Sequence, residues 1–309
     1  MQRLLTGLQS SGALHIGNYF GVLKPFVDMY DTYESYLMVA DYHAVTSLRD
    51  PAALRQNIFN VVKDYMAVGV DPSKCVIFQQ SQVHEHTEMA WIFECLATVP
   101  FLELSHAYKD KVAKGLEANA GLFNYPMLMA ADILLYDTDV VPVGEDQRQH
   151  LEYAREAAAK FNNAYGETFK EPKELINKQI AIIPGTDGKK MSKSYGNTIP
   201  LFGSKDEIAK AVMGIVTATE GKPEVLFAIH KNFRAESELG APYTKGNNFK
   251  ELKDMLIEDI ENLVAPMREK RNSITDDEVR RVLKEGSDKA RAYAAKKMAD
   301  VRQKVGVAI

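Results

Sequence analysis

Short apolar runs alternate with stretches of helical spacing through the first two thirds of the chain. Arg3-Leu4-Leu5-Thr6-Gly7 is one such run, and helical spacing follows it from Ile16 to Tyr30. Tyr36-Leu37-Met38-Val39-Ala40 is the next; behind it a helix starts at Pro51 and carries Leu54, Ile58, Val61, Val62, Tyr65 and Met66 on one face. Cys75 to Gln79 and Thr87 to Ala97 repeat the succession of strand and helix. Such alternation predicts an α/β fold, a parallel sheet joined by right-handed crossovers. Sheets of that kind hold ligands at the carboxyl ends of their strands.

From Lys205 onward the spacing is helical alone, over Asp206 to Val216, Asn248 to Lys270 and Thr275 to Lys304. In the last of these Val279, Val282, Leu283, Ala290, Ala294, Met298 and Val301 recur on one face, and Gly286 is expected to break it into two helices. The change of pattern divides the chain into an α/β domain over residues 1–189 and a smaller all-helical domain over residues 190–309. At the junction stands GTDGKKMSKSYGN, Gly185 to Asn197, with three glycines, three lysines and almost nothing to bury.

A chain of 309 residues, 46% hydrophobic and 26% charged, is long enough for two domains with cores of their own. No stretch approaches the ~20 uninterrupted apolar residues of a membrane helix. Met1 to Leu5 leads into strand-like sequence without the apolar core of a signal peptide, so a cytoplasmic location is expected. Cys75 and Cys95 both read as small buried hydrophobes, too few for a zinc cluster or a disulfide framework. The net charge of −4 speaks against a polyanion partner only until its distribution is counted. From Pro266 to the end twelve Lys and Arg stand against seven Asp and Glu, a local +5 that leaves −9 on the rest. Such a basic region leaves room for a nucleic-acid partner.

The candidate chemistry is for phosphate, yet no glycine stands five positions before Gly188-Lys189 or Gly221-Lys222, which excludes the familiar nucleotide-triphosphatase loop. Instead, Gly7 to Gly21 follows the first strand and opens the first helix. Its glycines let backbone approach a ligand, the helix start offers free N–H groups to an anion, and His15 and Asn18 share one face. Taken alone, His15 is an ordinary capping residue and Lys189-Lys190 an ordinary solvated pair. Together they suit ATP, with Lys190 and Lys193 meeting the outer phosphates while Met191, Ser192 and Ser194 shape the turn. Asp132 lies in an otherwise apolar helix from Met127 to Leu135, where a carboxylate requires a donor. His84-Glu85-His86 looks ligand-rich, but its residues two apart point to different sides of a helix, and no metal site is expected there.

The pair His15-Ile16-Gly17-Asn18 and Lys190-Met191-Ser192-Lys193-Ser194 resembles the two signatures of class I aminoacyl-tRNA synthetases, over essentially the whole chain. Within that class, Asn124 to Leu134 and Val140 to His150 resemble the bacterial tryptophanyl branch. The resemblance implies a Rossmann-like catalytic domain with a dimer-interface insertion, and a C-terminal domain that reads the tRNA anticodon, its last helix packing back on the first domain. His15, Asn18, Lys190 and Lys193 become catalytic residues. Gln9, Ser10, Ser11, Gly17, Gly144, Glu145, Asp146 and Ile183 join them and the lysine loop around ATP, with Mg²⁺ carried on the nucleotide rather than by protein ligands.

For tryptophan the resemblance implies Leu5, Gly7, Met129, Val141 and Val143 around the ring, with His43, Tyr125 and Gln147 at its polar end. Asp132, an acceptor-only carboxylate, would take the indole N–H, which can only donate. The tyrosyl branch is expected to carry glutamine where Met129 stands. Two positions depart from the pattern: Ser10 stands where the family usually has proline, and Tyr195 where its tryptophanyl branch commonly has aspartate. The implied partners are L-tryptophan, ATP, tRNA(Trp) and a second copy of the chain, joined around Phe101 to Leu122 and the Tyr125 helix; neither a membrane nor DNA is among them. A cofactor-making nucleotidyltransferase would have no use for the long helical extension, and a non-catalytic RNA-binding paralogue would be expected to lack His15, Lys190 or Lys193.

Overall fold

The computed structural model describes residues 1–10, 12–113, 115, 117–142, 148–175, 183–217, 223–244 and 248–308. Five parallel strands form one sheet: β1 (Arg3–Gln9), β2 (Glu34–Ala40), β3 (Cys75–Gln79), β4 (Val140–Pro142) and β5 (Lys173–Leu175). Their order is β3-β2-β1-β4-β5, so the chain reverses its direction of travel across the sheet between β1 and β4. Ligand crevices of open α/β sheets lie at that point, outside the carboxyl ends. The register sets Leu5 beside Tyr36 and Leu37 beside Ile77.

Around the sheet run α1 (Ile16–Asn18), continued by a π-helical turn over Tyr19–Leu23, and α2 (Lys24–Val27), α3 (Asp41–Val45) and α4 (Pro51–Ala67). Then come α5 (Glu85–Glu94), α6 (Val99–Leu102), α7 (His106–Ala113), α8 (Ala120–Leu134) and α9 (Arg148–Tyr165). The remaining helices are α10 (Lys205–Met213), α11 (Glu224–His230), α12 (Glu236–Thr244), α13 (Phe249–Ser273) and α14 (Asp276–Val305). Local chemistry sets their starts. Asp50 accepts from the N–H groups of Ala52 and Ala53 ahead of Pro51, Ser204 and Glu207 close a reciprocal box on α10, and Thr275 accepts from Glu278 N–H.

Side chains alternate along each strand, so the sheet feeds two cores. Leu4, Leu37, Val39 and Ile77 join α4, α10, α13 and the start of α14 in one of them. Leu5, Tyr36, Met38 and Phe78 join α5, α8, α9 and the end of α14 in the other.

Two expectations fail here. α14 runs unbroken through Gly286, which is buried against edge strand β3: a Cβ at Gly286 would lie 1.8 Å from the Ile77 carbonyl oxygen. Close approach of two backbones, rather than a break, explains that glycine. The next residue, Ser287, accepts from the Gln79 N–H at 3.2 Å, giving the edge strand a partner on its open side. Cys95, expected to be buried, is exposed at the end of α5, whereas Cys75 is buried. Among the described residues no helix is long and apolar enough to cross a membrane.

Candidate active site

The first phosphate motif leaves β1 at Gln9, which is exposed, and Ser10, which is buried with no hydrogen-bond partner for its hydroxyl among the described residues. Ser11 lies outside the described residues. His15 and Asn18 bond reciprocally: the His15 N–H donates to Asn18 Oδ1 at 3.1 Å, and the Asn18 N–H donates to His15 Nδ1 at 3.3 Å. Nδ1 is therefore an acceptor, and the neutral ring carries its hydrogen on Nε2. Burial, reinforced by the nearby charge of Lys193, lowers the His15 pKa to about 4. Position 17 must be glycine because a Cβ there would stand 2.9 Å from His15 Nδ1 and 3.4 Å from Met191 Sδ.

The lysine segment folds back on this turn. Ile16 N–H donates to Ile199 O and Leu201 N–H to Leu14 O, both at 3.0 Å, so the chain beyond the lysines lies antiparallel to the His15 turn. Lys193 Nζ donates to the Gly12 carbonyl at 2.9 Å, and Met191 is buried beneath. Ile183 is buried, and Pro184 pairs with Lys190 across a tight turn. Buried Asn197 holds the segment in shape: its amide donates to Asp187 and to the Lys190 carbonyl, and its Oδ1 accepts from Ser192 N–H at 2.8 Å. Both Lys190 and Lys193 are exposed. The side chain of Ser194 is not among those described. Thus His15, Asn18, Gly17, Met191 and Lys193, distant in sequence, are brought together.

On the other face of the sheet lies Asp132, 1% exposed in α8. Three side chains engage its carboxylate. His43 Nε2 meets Oδ2 at 2.7 Å, His86 Nδ1 meets Oδ1 at 2.6 Å, and Gln80 Nε2 donates to both oxygens, at 2.8 and 3.0 Å. An ionised carboxylate only accepts, so these two imidazole nitrogens carry hydrogens. Burial alone would raise the Asp132 pKa, but the hydrogen bonds and charges of His43 and His86 outweigh it and hold the carboxyl well below the usual range. Gln80 also accepts from the Tyr42 N–H, tying α3 to the same network.

His43 stands edge-on to Tyr125, ring centroids 5.2 Å apart, and its Nδ1 has no partner among the described residues. The Tyr125 hydroxyl lies 2.6 Å from His150 Nε2 and 3.8 Å from Met129 Sδ. Leu5 and Val141 are buried in the same core, with Met129 packed against it, and Gly7 lies between Thr6 and Leu8 in β1. Val143, Gly144, Glu145, Asp146 and Gln147 lie outside the described residues.

Sequence reasoning missed Gln80 and His86. His86 was weighed only as a metal ligand, and among the described residues no group of three or more His, Cys, Asp or Glu could hold a metal ion. The available signal was position: Gln80 follows directly on the carboxyl end of β3.

Comparison with known proteins agrees with this architecture. The model of the family "tRNA synthetases class I (W and Y)" matches residues 1–291. The tryptophan–tRNA ligase of Fusobacterium nucleatum is 48% identical over 320 residues, covering 99% of this chain and 98% of that one. The tryptophan–tRNA ligase of Rhodopirellula baltica is 42% identical over 318 residues, covering 99% of each. The crystal structure of tryptophanyl-tRNA synthetase from Campylobacter jejuni, complexed with ADP and tryptophan, matches with a TM-score of 0.91 at 43% identity, over 99% of this chain and 100% of that one. With both signature motifs adjoining at the carboxyl end of β1 and full-length identity above two fifths, the chain belongs to the class I aminoacyl-tRNA synthetases, on their bacterial tryptophanyl branch.

Proposed function

We propose that the chain is a tryptophan–tRNA ligase, which activates L-tryptophan with ATP and passes it to the 3′ end of tRNA(Trp). The observation that carries this reading is the meeting of His15–Asn18 with the Lys190–Lys193 segment on one side of a sheet whose other side holds a buried, ionised carboxylate. The tryptophan carboxylate attacks the α-phosphorus of ATP, the bond to the bridging oxygen breaks, and pyrophosphate leaves. A terminal ribose hydroxyl of the tRNA then attacks the carbonyl of the adenylate, and AMP leaves. No protein nucleophile is needed, so catalysis rests on positioning and on charge stabilisation.

His15, neutral and with Nδ1 occupied, offers an N–H to a phosphate oxygen. Lys190 and Lys193 balance the charge that builds on departing pyrophosphate, and Asp132 receives the indole N–H. Gln9, Ser10, Ser11, Gly17, Ile183 and residues 144–146 complete the nucleotide site in this reading, and Leu5, Gly7, Met129, Val141, Val143, Tyr125, His43 and Gln147 the tryptophan site. Mg²⁺ would travel on the ATP phosphates in this reading.

The helical region beyond residue 190 would read the anticodon, and its +5 segment suits that partner. A dimer through the Phe101–Leu122 segment is supported by Leu104 and Val112, both about half exposed and apolar. A cytoplasmic setting completes the reading. ATP–pyrophosphate exchange with each of the twenty amino acids tests it: exchange is expected with tryptophan alone, and exchange driven by tyrosine, or by none, defeats it.

A further inference from the structure

Gln80 and His86 come from the β3 end and from α5, and both are completely buried. Together they occupy Oδ1 of Asp132, at 2.8 and 2.6 Å. Oδ2 has His43 and only the longer branch of Gln80, at 3.0 Å. His86 uses both of its nitrogens, because Nε2 lies 2.8 Å from the Tyr136 hydroxyl. With a hydrogen on Nδ1 donated to Asp132 and Nε2 against the Tyr136 hydroxyl, the ring is held at both nitrogens, and a ring flip would break both bonds. The imidazole also packs against Phe78, 21° from parallel at 6.0 Å, and against Tyr136 at 5.5 Å, two rings that touch each other at 5.3 Å. A carboxylate held at both oxygens in this way cannot turn about its Cβ–Cγ bond, and a ligand that approaches from the side of His43 and Tyr125 meets Oδ2.

We propose that His86, backed by Tyr136, is a positioning residue for amino-acid selection: it fixes Oδ1 of Asp132 and thereby presents Oδ2 to the indole N–H of tryptophan. The inference rests on the reading of Asp132 given above. It parallels the way outer-shell partners orient a metal ligand, with a substrate N–H in place of the metal. A histidine that merely filled the core would support Asp132 without affecting which ring is chosen.

The test compares tryptophan with 3-benzothienyl-L-alanine, in which sulfur replaces the indole N–H, in ATP–pyrophosphate exchange. Wild-type protein is expected to prefer tryptophan by roughly 10- to 150-fold in kcat/KM, the span of a hydrogen bond to a charged group. His86→Leu is expected to reduce that preference to about twofold with the KM for ATP unchanged. His86→Asn, whose amide stands where Nδ1 stands, is expected to restore it to within about threefold of wild type, and Tyr136→Phe to lose about threefold. A His86→Leu protein that loses activity equally toward both substrates overturns the proposal. If that variant does not fold, a Tyr136→Phe protein with undiminished preference overturns it instead. Wild-type protein that does not distinguish the two substrates overturns the reading of Asp132, and the proposal with it.

Discussion

The two ends of the candidate site are held by different means. At the amino-acid end, side chains from α3, the β3 end and α5 converge on one carboxylate, and every member is buried. At the phosphate end the working lysines are exposed, and the segment that carries them is braced mainly by its own Asn197 and by backbone pairing with the His15 turn. The contrast matches the two tasks. Choosing one ring over another needs fixed partners in a medium of low dielectric, where an unmatched group is costly. Meeting a polyphosphate whose charge changes during reaction suits cations on chain that can travel.

If this division holds, the two ends fail in different ways. The largest effect is expected from Lys193→Ala: exchange slows by roughly 100- to 1000-fold, or about 3 to 4 kcal/mol, while the KM for tryptophan stays within about twofold. Steady-state kinetics in both substrates checks it, and equal losses in rate and tryptophan affinity would contradict the division. Next comes Asp132→Asn, which turns an amide N–H toward a cluster of donors. The KM for tryptophan should rise by roughly 10- to 150-fold, about 1.5 to 3 kcal/mol, with the KM for ATP unchanged.

A pH effect of about 2 kcal/mol is expected from His15, less than its full shift would carry because solvent screens the rim of the site. Its pKa falls from 6.5 unfolded to about 4 folded, so between those values the unfolded chain holds the extra proton. Stability present above pH 6.5 is lost as the pH falls toward 4. Asp64 acts in the opposite sense: burial, only partly offset by Arg271, raises it to about 6, and the stability it contributes in acid is lost as the pH rises through that value. Urea unfolding of wild type and His15→Gln across pH 4 to 7 separates the two, and parallel curves would refute the His15 assignment. The smallest effect belongs to Asn197→Ala, expected to slow exchange about tenfold, or about 1.4 kcal/mol, with unchanged tryptophan KM; a normal rate would show that the loop needs no such brace.

How much of this was legible beforehand followed from sequence separation. β1, β2 and β3 announced themselves as apolar runs, because strands buried on both faces need them. β4 and β5 have three residues each and carry too little pattern to be seen. Both phosphate motifs are local, so His15, Asn18, Lys190 and Lys193 could be picked out directly. Asp132 was visible as a charge in an apolar helix, but its partners stand 46 to 89 positions away and only the sheet brings them together. Gly286 was misread because propensity speaks for the isolated helix, whereas the Ile77 backbone decided the residue.

That glycine has a bearing on solubility. β3 ends the sheet, and an uncovered edge of this kind offers its free amides and carbonyls to any passing strand. A methyl group at 286 would push α14 outward and unseat Ser287 from Gln79, leaving that border open to aggregation while both substrate sites kept their chemistry intact.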